Sequence, residues 1–392
     1  MSKIMLQKQL QNSESLFYFI EKFMTSEQVT THNNQKVVNS FIPPYPSKAF
    51  DRIVKNLKNG AQTPFSAYLA ITPECPNDCW HCSSEKRQKS SIDSKYWYSV
   101  IDQLNELGVC IIGFTGGEPL VHSELDNLIE YAANLGITTI LFTSAATLTE
   151  QRVKLLEKHQ LWGIAVSLDH YNEEIFDRLR GRKGAFKDTV IGLKWLADSK
   201  IYSMTTTLAS HDLVANNLDE MKKIYNLAKM LNVHEFRIIE PMPTGNLQNA
   251  SEKVLLDDDE VQTLKEFHCM MNKQEKMPKV CSFNVMEGKE VFGCCAGIQH
   301  MYIEYSGKVC PCDFTPLSFG NITEEPLLDI WQRMVKAMGQ PREKCFIRDN
   351  QVLIQQYSNF GKVYPIDTEN SCRLCSQAKE RGLPNYFKMI SK

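Results

Sequence analysis

Between Ser66 and Glu240, short aliphatic runs alternate with amphipathic stretches. The runs are 66–72, 110–115, 138–143, 162–168, 203–208 and 234–240. They are rich in β-branched and aliphatic residues and show no clean in–out alternation, the pattern of strands buried on both faces. The stretches 93–107, 122–135, 149–159, 185–199 and 215–231 carry apolar residues at helical spacing. Repeated strand–helix units predict a parallel sheet with helices outside it. Six such units are too few to close an eight-stranded barrel. Upstream, Glu14 to Met24 places Leu16, Phe17, Phe19, Ile20, Phe23 and Met24 at helical spacing. This helix is expected to pack on the core, since it lacks the Lys/Arg-rich face of a membrane-surface helix. A stiff proline-rich connector, Phe41 to Ser47, leads into a short helix, Ser47 to Lys58. Downstream, Lys253 to Met271 reads as an acidic helical linker. A hairpin turning at Ser306-Gly307 follows.

Composition narrows the class. The 392 residues are 43% hydrophobic and 23% charged, ordinary values for a globular chain long enough for two domains. The net charge of −2 comes from interleaved charges, and no basic block suggests a nucleic-acid groove. No apolar run is long enough to span a bilayer, and the N-terminus lacks a secretory pattern. A cytoplasmic location is therefore expected. Thirteen cysteines in such a chain argue for metal or redox chemistry rather than disulfides.

Three of them, Cys75, Cys79 and Cys82, stand in the spacing CxxxCxxC directly after the first predicted strand. Three thiolates are one short of a complete four-cysteine cluster. They would leave one iron of a [4Fe–4S] cube open to a small molecule. A structural zinc site would want four ligands, and His81 is the only close candidate for the fourth. Each later strand ends in residues suited to lining a site. The second is followed by Phe114-Thr115-Gly116-Gly117-Glu118-Pro119-Leu120, whose glycines allow close backbone approach and whose carboxylate can accept from an ammonium. The third ends in Thr143-Ser144-Ala145 and the fourth in Ala165-Val166-Ser167-Leu168-Asp169. Glu174 to Phe186 follows, then Thr205-Thr206-Thr207 on the fifth strand. Phe236 to Gly245, including Glu240-Pro241-Met242-Pro243-Thr244-Gly245, closes the series.

CxxxCxxC with Trp80 before its last cysteine, GGEP one strand later, and the "SLD", "RLRG" and "EPMPTG" segments together resemble the radical S-adenosylmethionine (SAM) superfamily. The resemblance implies a partial (β/α)6 TIM-type barrel, with the site at the C-terminal strand ends. It implies that Cys75, Cys79 and Cys82 hold the catalytic [4Fe–4S] cluster, to whose open iron SAM binds. It assigns SAM contacts to Trp80, Thr115, Gly116, Gly117, Glu118, Pro119, Ser144, Ser167, Arg180 and Met242, with Trp80 covering the adenine. Many relatives carry Thr-Asn-Gly where this chain has Thr143-Ser144-Ala145.

The C-terminal cysteines extend the resemblance. Cys294-Cys295-Ala296-Gly297, the Gly307 hairpin ending at Cys312, Gly320-Asn321-Ile322, Trp331 and the pair Cys372/Cys375 look like a SPASM/twitch domain. Its "CxAG" pattern selects Cys294 over Cys295, and its "PC" position selects Cys312 over Cys310. Cys294, Cys312, Cys372 and Cys375 would complete one auxiliary [4Fe–4S] cluster, with zinc as the other occupant of four thiolates. Cys281 and Cys345 are left over, so a second auxiliary cluster stays open. The expected organisation is an N-terminal extension (1–60), a radical SAM core (61–251) and an iron–sulfur domain (275–392).

The implied activity is reductive cleavage of SAM to a 5′-deoxyadenosyl radical that abstracts hydrogen from substrate. The auxiliary cluster, having no open site, would accept an electron. The net change would then be oxidative: a dehydrogenation or a new C–C or C–S bond in a peptide or protein. The alternatives are a small-molecule dehydrogenase or tailoring enzyme, and a non-catalytic iron–sulfur electron carrier or sensor. Expected partners are SAM, the substrate and a reductant such as flavodoxin or ferredoxin.

Overall fold

Residues 12–59, 63–251 and 253–390 are described by a computed structural model. The chain opens with helix α1 (Ser13–Phe23), the hairpin β1 (Thr30–His32) and β2 (Gln35–Val37), and α2 (Lys48–Asn59). The predicted alternation follows as β3 (Ser66–Ala70), α3 (Lys95–Glu106), β4 (Ile111–Thr115), α4 (Leu125–Asn134), β5 (Thr138–Thr143), α5 (Glu150–Lys158) and β6 (Gly163–Ser167). It continues through α6 (Glu173–Arg180), α7 (Ala185–Ala197), β7 (Tyr202–Leu208), α8 (His211–Met230) and β8 (Glu235–Ile239). The linker helix is α9 (Asp258–Lys273), begun by a capping box between Asp257 and Glu260. The C-terminal part contains β9 (Lys279–Ser282), α10 (Phe283–Met286), β10 (His300–Ile303), β11 (Val309–Cys310) and α11 (Leu327–Met338). It ends with α12 (Phe346–Asp349), α13 (Gln351–Tyr357), α14 (Thr368–Gln377) and α15 (Asn385–Ile390).

Strands β3 to β8 pair in parallel and in chain order, as the alternation predicts. The sheet then extends beyond six strands. β10 adds in parallel to β3, β9 adds in parallel to β8, and β11 pairs antiparallel with β10. The order is β11-β10-β3-β4-β5-β6-β7-β8-β9. An exposed edge strand carries unpaired backbone groups, and the C-terminal part covers both edges of the six-stranded core. β9 and β10 are too short to be read as core strands by periodicity. Among the described residues no helix is long and apolar enough to cross a membrane.

The N-terminal extension closes the bottom of the barrel. Leu16, Phe17, Phe19 and Ile20 pack with Phe50, Ile53 and the inward residues Ile111, Ile140 and Tyr202 in one core. Glu235 and Lys279, which face this layer, are buried charges. Glu235 accepts from the Ser40 amide (3.1 Å) and hydroxyl and from the Tyr202 hydroxyl (3.2 Å). Lys279 donates to the Val37 and Val38 carbonyls (2.8 and 3.0 Å). A charge in a dry interior needs such partners.

At the other end, Arg87, just beyond the cysteine motif, is locked into the β10–β11 hairpin. Its guanidinium pairs with buried Glu304 at 2.8 Å and donates to the Asp313 carbonyl at 3.1 Å. It also donates to the Cys310 sulfur (3.4 Å) and stacks over Tyr302, 4.9 Å from the ring centre. Replacing one partner of a buried pair strands the other charge and costs about 3–5 kcal/mol. Arg87→Met is therefore expected to lower unfolding stability by an amount in that range. Denaturant titration of the variant beside the wild type measures it, and a change under about 1 kcal/mol would show the pair to be dispensable.

Candidate active site

The loop from Thr72 to Ser83 lies across the C-terminal strand ends and is held there by backbone. The Gly117 amide donates to the Thr72 carbonyl (2.7 Å), and the Glu118 amide to the Glu74 carbonyl (2.7 Å). The Asp78 and Trp80 amides donate to the Arg180 and Leu179 carbonyls at 3.0 and 3.3 Å. From the end of β8, the Asn246 amide reaches the Cys82 carbonyl (2.9 Å) and its side chain the Cys79 carbonyl (3.0 Å). These approaches leave no room for side chains. A Cβ on Gly117 would overlap the Glu74 carbonyl oxygen, and one on Gly245 would overlap that of Cys82. Gly181, in left-handed backbone at the end of α6, meets Asp78 in the same way.

Cys75, Cys79 and Cys82 all face a cavity of about 310 Å³ in the barrel mouth. Cys75 is at the exposed rim, and the other two are half-buried. Burial pushes the Cys79 and Cys82 thiols up, and the neighbouring Arg180 partly offsets this at Cys79. Among the described residues no three Cys, His, Asp or Glu side chains converge on one point as ligands of a single ion. A four-iron cube asks for something else: one thiolate per iron, spread around a cluster. Three thiols on a rigid loop above a cavity fit that demand, and they fit a mononuclear zinc site poorly.

The cavity wall contains most of the expected SAM residues. Thr115, Gly116, Gly117, Ser144, Ser167, Arg180 and Met242 line it. Of the three threonines on β7, Thr206 faces in, and Thr207 turns away to donate to the Leu168 carbonyl at 2.6 Å. Glu118 has a different position from the one its motif suggests. It is fully buried, outside the cavity lining, and accepts from the Thr143 hydroxyl (2.6 Å) and the Leu120 amide (3.1 Å). It also accepts from the Ser144 amide and hydroxyl at 2.8 and 2.5 Å. The carboxylate thus braces the end of β4 to the end of β5. Pro119 begins a buried 3-10 turn behind it. Trp80 also lies outside the cavity lining, edge-on to His81 with ring centres 5.5 Å apart, while His81 itself faces in. Asp169 forms a buried ion pair with Arg180 and accepts from the Leu208 amide at 2.9 Å. Thr189, not singled out by any motif, donates from α7 to the Ser144 and Ser167 carbonyls (3.3 and 3.4 Å) and joins two lining turns.

In the C-terminal part the hairpin brings Cys312 within electrostatic reach of Cys294. Cys345 stands against Cys294, its thiol donating toward the Cys294 sulfur. This contact pulls the Cys294 thiol down and pushes the Cys345 thiol up. Cys345, read as spare from spacing, therefore stands with the expected ligands. Cys372 and Cys375 share α14 one turn apart, and the Cys375 sulfur lies 3.6 Å from the Met338 sulfur. All five thiols belong to or pack against one hydrophobic cluster. Cys281 does not join them: it is buried on β9 in the barrel-floor core. Cys295 and Cys310 make separate contacts, with the Phe292 carbonyl and Arg87. α12, which Cys345 precedes at its N-cap, also carries Arg348, whose guanidinium pairs with Glu240 on the cavity wall.

Two substitutions test these placements. Gly245→Ala should displace the cysteine loop and cut bound iron from about eight to about four per chain after anaerobic reconstitution. Cys345→Ala should remove the other cube and give the same fall, separable from the first by electron paramagnetic resonance. Full iron in either variant would refute the corresponding role.

The chain matches the family model described as radical SAM superfamily over residues 69–228, and that of an iron–sulfur cluster-binding (SPASM) domain over 294–376. It is 27% identical over 307 residues to an AdoMet-dependent heme synthase of Methanosarcina barkeri, covering 71% of this chain and 86% of that protein. It is 26% identical over 281 residues to a PqqA peptide cyclase of Rhizobium meliloti, covering 68% and 73%. The structure of Streptococcus suis SuiB bound to S-adenosylmethionine superposes with a TM-score of 0.60 at 16% identity, covering 78% of this chain and 77% of that one. With three thiols at the barrel mouth, and with Cys312 and Cys345 drawn toward Cys294 in the C-terminal part, the chain is a radical SAM enzyme that uses S-adenosylmethionine and [4Fe–4S] clusters and carries a C-terminal SPASM domain.

Proposed function

We propose that this enzyme carries out an oxidative hydrogen abstraction on a peptide or protein, leaving a dehydrogenated residue or a new C–C or C–S bond. The observation that carries the reading is the second thiol cluster, whose Cys345 element reaches the cavity wall through the Arg348–Glu240 pair. When bound, SAM and the first cluster supply one-electron reductive cleavage and hydrogen abstraction. The protein's own residues bind and orient. Cys75, Cys79 and Cys82 would hold three irons. Thr115, Gly116, Gly117, Ser144, Ser167 and Met242 form the wall against which SAM would lie. Arg180 is kept in place by Asp169 and donates to the Cys79 sulfur at 3.6 Å. An auxiliary electron acceptor would take its four thiolates from Cys294, Cys312, Cys345, Cys372 and Cys375, with Cys345 one of the four. A reductant of the flavodoxin or ferredoxin class would feed the first cluster.

The peptide reading is supported by the relatives named as PqqA peptide cyclases. A small-molecule substrate is the second reading, favoured by the relatives named as heme synthases, which cover similar shares of the chain. Either substrate must be shielded from water, and the Arg87–Glu304 lock holds the C-terminal part over the barrel mouth.

Anaerobic reconstitution with iron and sulfide, followed by SAM and dithionite, tests the common core. The wild type should form 5′-deoxyadenosine and hold about eight irons per chain. Cys75→Ala should form none. A fully loaded wild type that neither binds nor cleaves SAM would sink the proposal, and about twelve irons would replace the single auxiliary cube with two.

A further inference from the structure

Arg237 sits at the middle of β8 and points into the floor of the cavity. Only 2% of it is exposed. Its Nε and Nη1 atoms are buried without a hydrogen-bond partner among the described residues. The other buried arginines described above have a carboxylate: Arg87 has Glu304 and Arg180 has Asp169. Aromatic rings surround this one, with the guanidinium carbon 5.8 Å from the centre of Phe41, 5.0 Å from Phe142 and 4.9 Å from Phe283. Cation–π contact accounts for the faces of the guanidinium. It leaves the Nε and Nη1 donors, which lie in the guanidinium plane, unmet, and an unmet charged donor in a dry site is costly.

One neighbour shares the same need, and a second touches the guanidinium. Thr206 pairs with Arg237 in strand register, faces the cavity beside it, and has a buried hydroxyl with no partner among the described residues. The Tyr68 hydroxyl, from β3 across the barrel, contacts the guanidinium and also lines the cavity. Asp313 faces the cavity from the C-terminal part and feels the charge of Arg237 without bonding to it.

We propose that Arg237, with Thr206 and Tyr68, is the receptor for a carboxylate on the substrate, so that the enzyme acts on a carboxylate-bearing molecule held at the barrel floor. The inference rests on the catalytic reading above and narrows its substrate class. A planar guanidinium matches a carboxylate's two oxygens. The surrounding phenylalanines favour a singly charged group over a phosphate, whose second charge would have to be desolvated as well. SAM also carries a carboxylate. Arg237 stands in strand register with Thr206 and Ser167, and what sets it apart from the residues expected to hold SAM is its enclosure by Tyr68, Phe142 and Phe283. A substrate anchored there by its acid end would direct its remaining length upward toward the cysteine loop.

The test uses the anaerobic holoenzyme with benzoate as probe and benzamide as its uncharged match, at constant ionic strength, read by thermal shift. SAM binding is measured in the same samples. Benzoate should raise the Tm saturably while benzamide does not. Arg237→Gln should weaken the benzoate response about tenfold or more while still binding SAM. Arg237→Lys, which keeps a buried cation without the planar donor set, should lie between them, and it serves as the readout if the glutamine variant does not fold. Equal shifts from benzoate and benzamide would overturn the proposal, as would a wild-type benzoate response in the variants. Loss of SAM binding with the benzoate response intact would assign the guanidinium to the SAM carboxylate instead. Failure of the catalytic reading would be seen separately, as a wild type that does not cleave SAM whatever its response to benzoate.

Discussion

Backbone against backbone at the barrel mouth is the contact on which the rest depends. The loop carrying the three thiols can rest on the strand ends only because Gly117, Gly181 and Gly245 present no side chain to it. That contact makes the site a property of the sheet. The glycines follow β4, α6 and β8, so parallel pairing of β3 to β8 sets the heights at which they meet the loop. Glu118 then ties β4 to β5, and Thr189 ties the turns after β5 and β6. Most polar groups around the site are thus committed to holding the frame.

The frame is closed from both ends by charge placed in dry surroundings. Glu235 and Lys279 bind the N-terminal extension beneath the barrel, and Arg87 and Arg348 bind the C-terminal part above it. Buried charges are weak stabilisers, but they are exacting about partners, so they select one docking of each segment over others of similar apolar area. Arg237 departs from this rule. It has the burial of the structural arginines without their carboxylate, and it faces the cavity at the reactive mouth.

Much of this was legible along the chain. The strand–helix alternation located β3 to β8 to within a residue or two, because each element is a local period of apolar residues. CxxxCxxC and the strand-end glycines were legible as well, since a short loop forces neighbours in sequence to be neighbours in space. Glu118 was not: its motif suggested a ligand contact, and its partners, Thr143 and Ser144, lie one strand over. Trp80 had an expected place over the adenine, and the loop instead turns His81 toward the cavity. Cys345 looked spare because its neighbour Cys294 is far away in sequence. β9 and β10 were missed as core strands because such short strands carry almost no period of their own.

The sequence by itself determined the order of elements, the thiol loop and the bare glycines beneath it. All of these are encoded in residue type at short spacing. The tertiary structure decided which polar groups satisfy one another: Arg87 with Glu304, Arg348 with Glu240, and Cys294 with Cys345, while Nε and Nη1 of Arg237 have no partner among the described residues. The reason is physical. A hydrogen bond or ion pair forms over about 3 Å, and only sheet register and domain docking bring residues 108 or 217 positions apart to that distance.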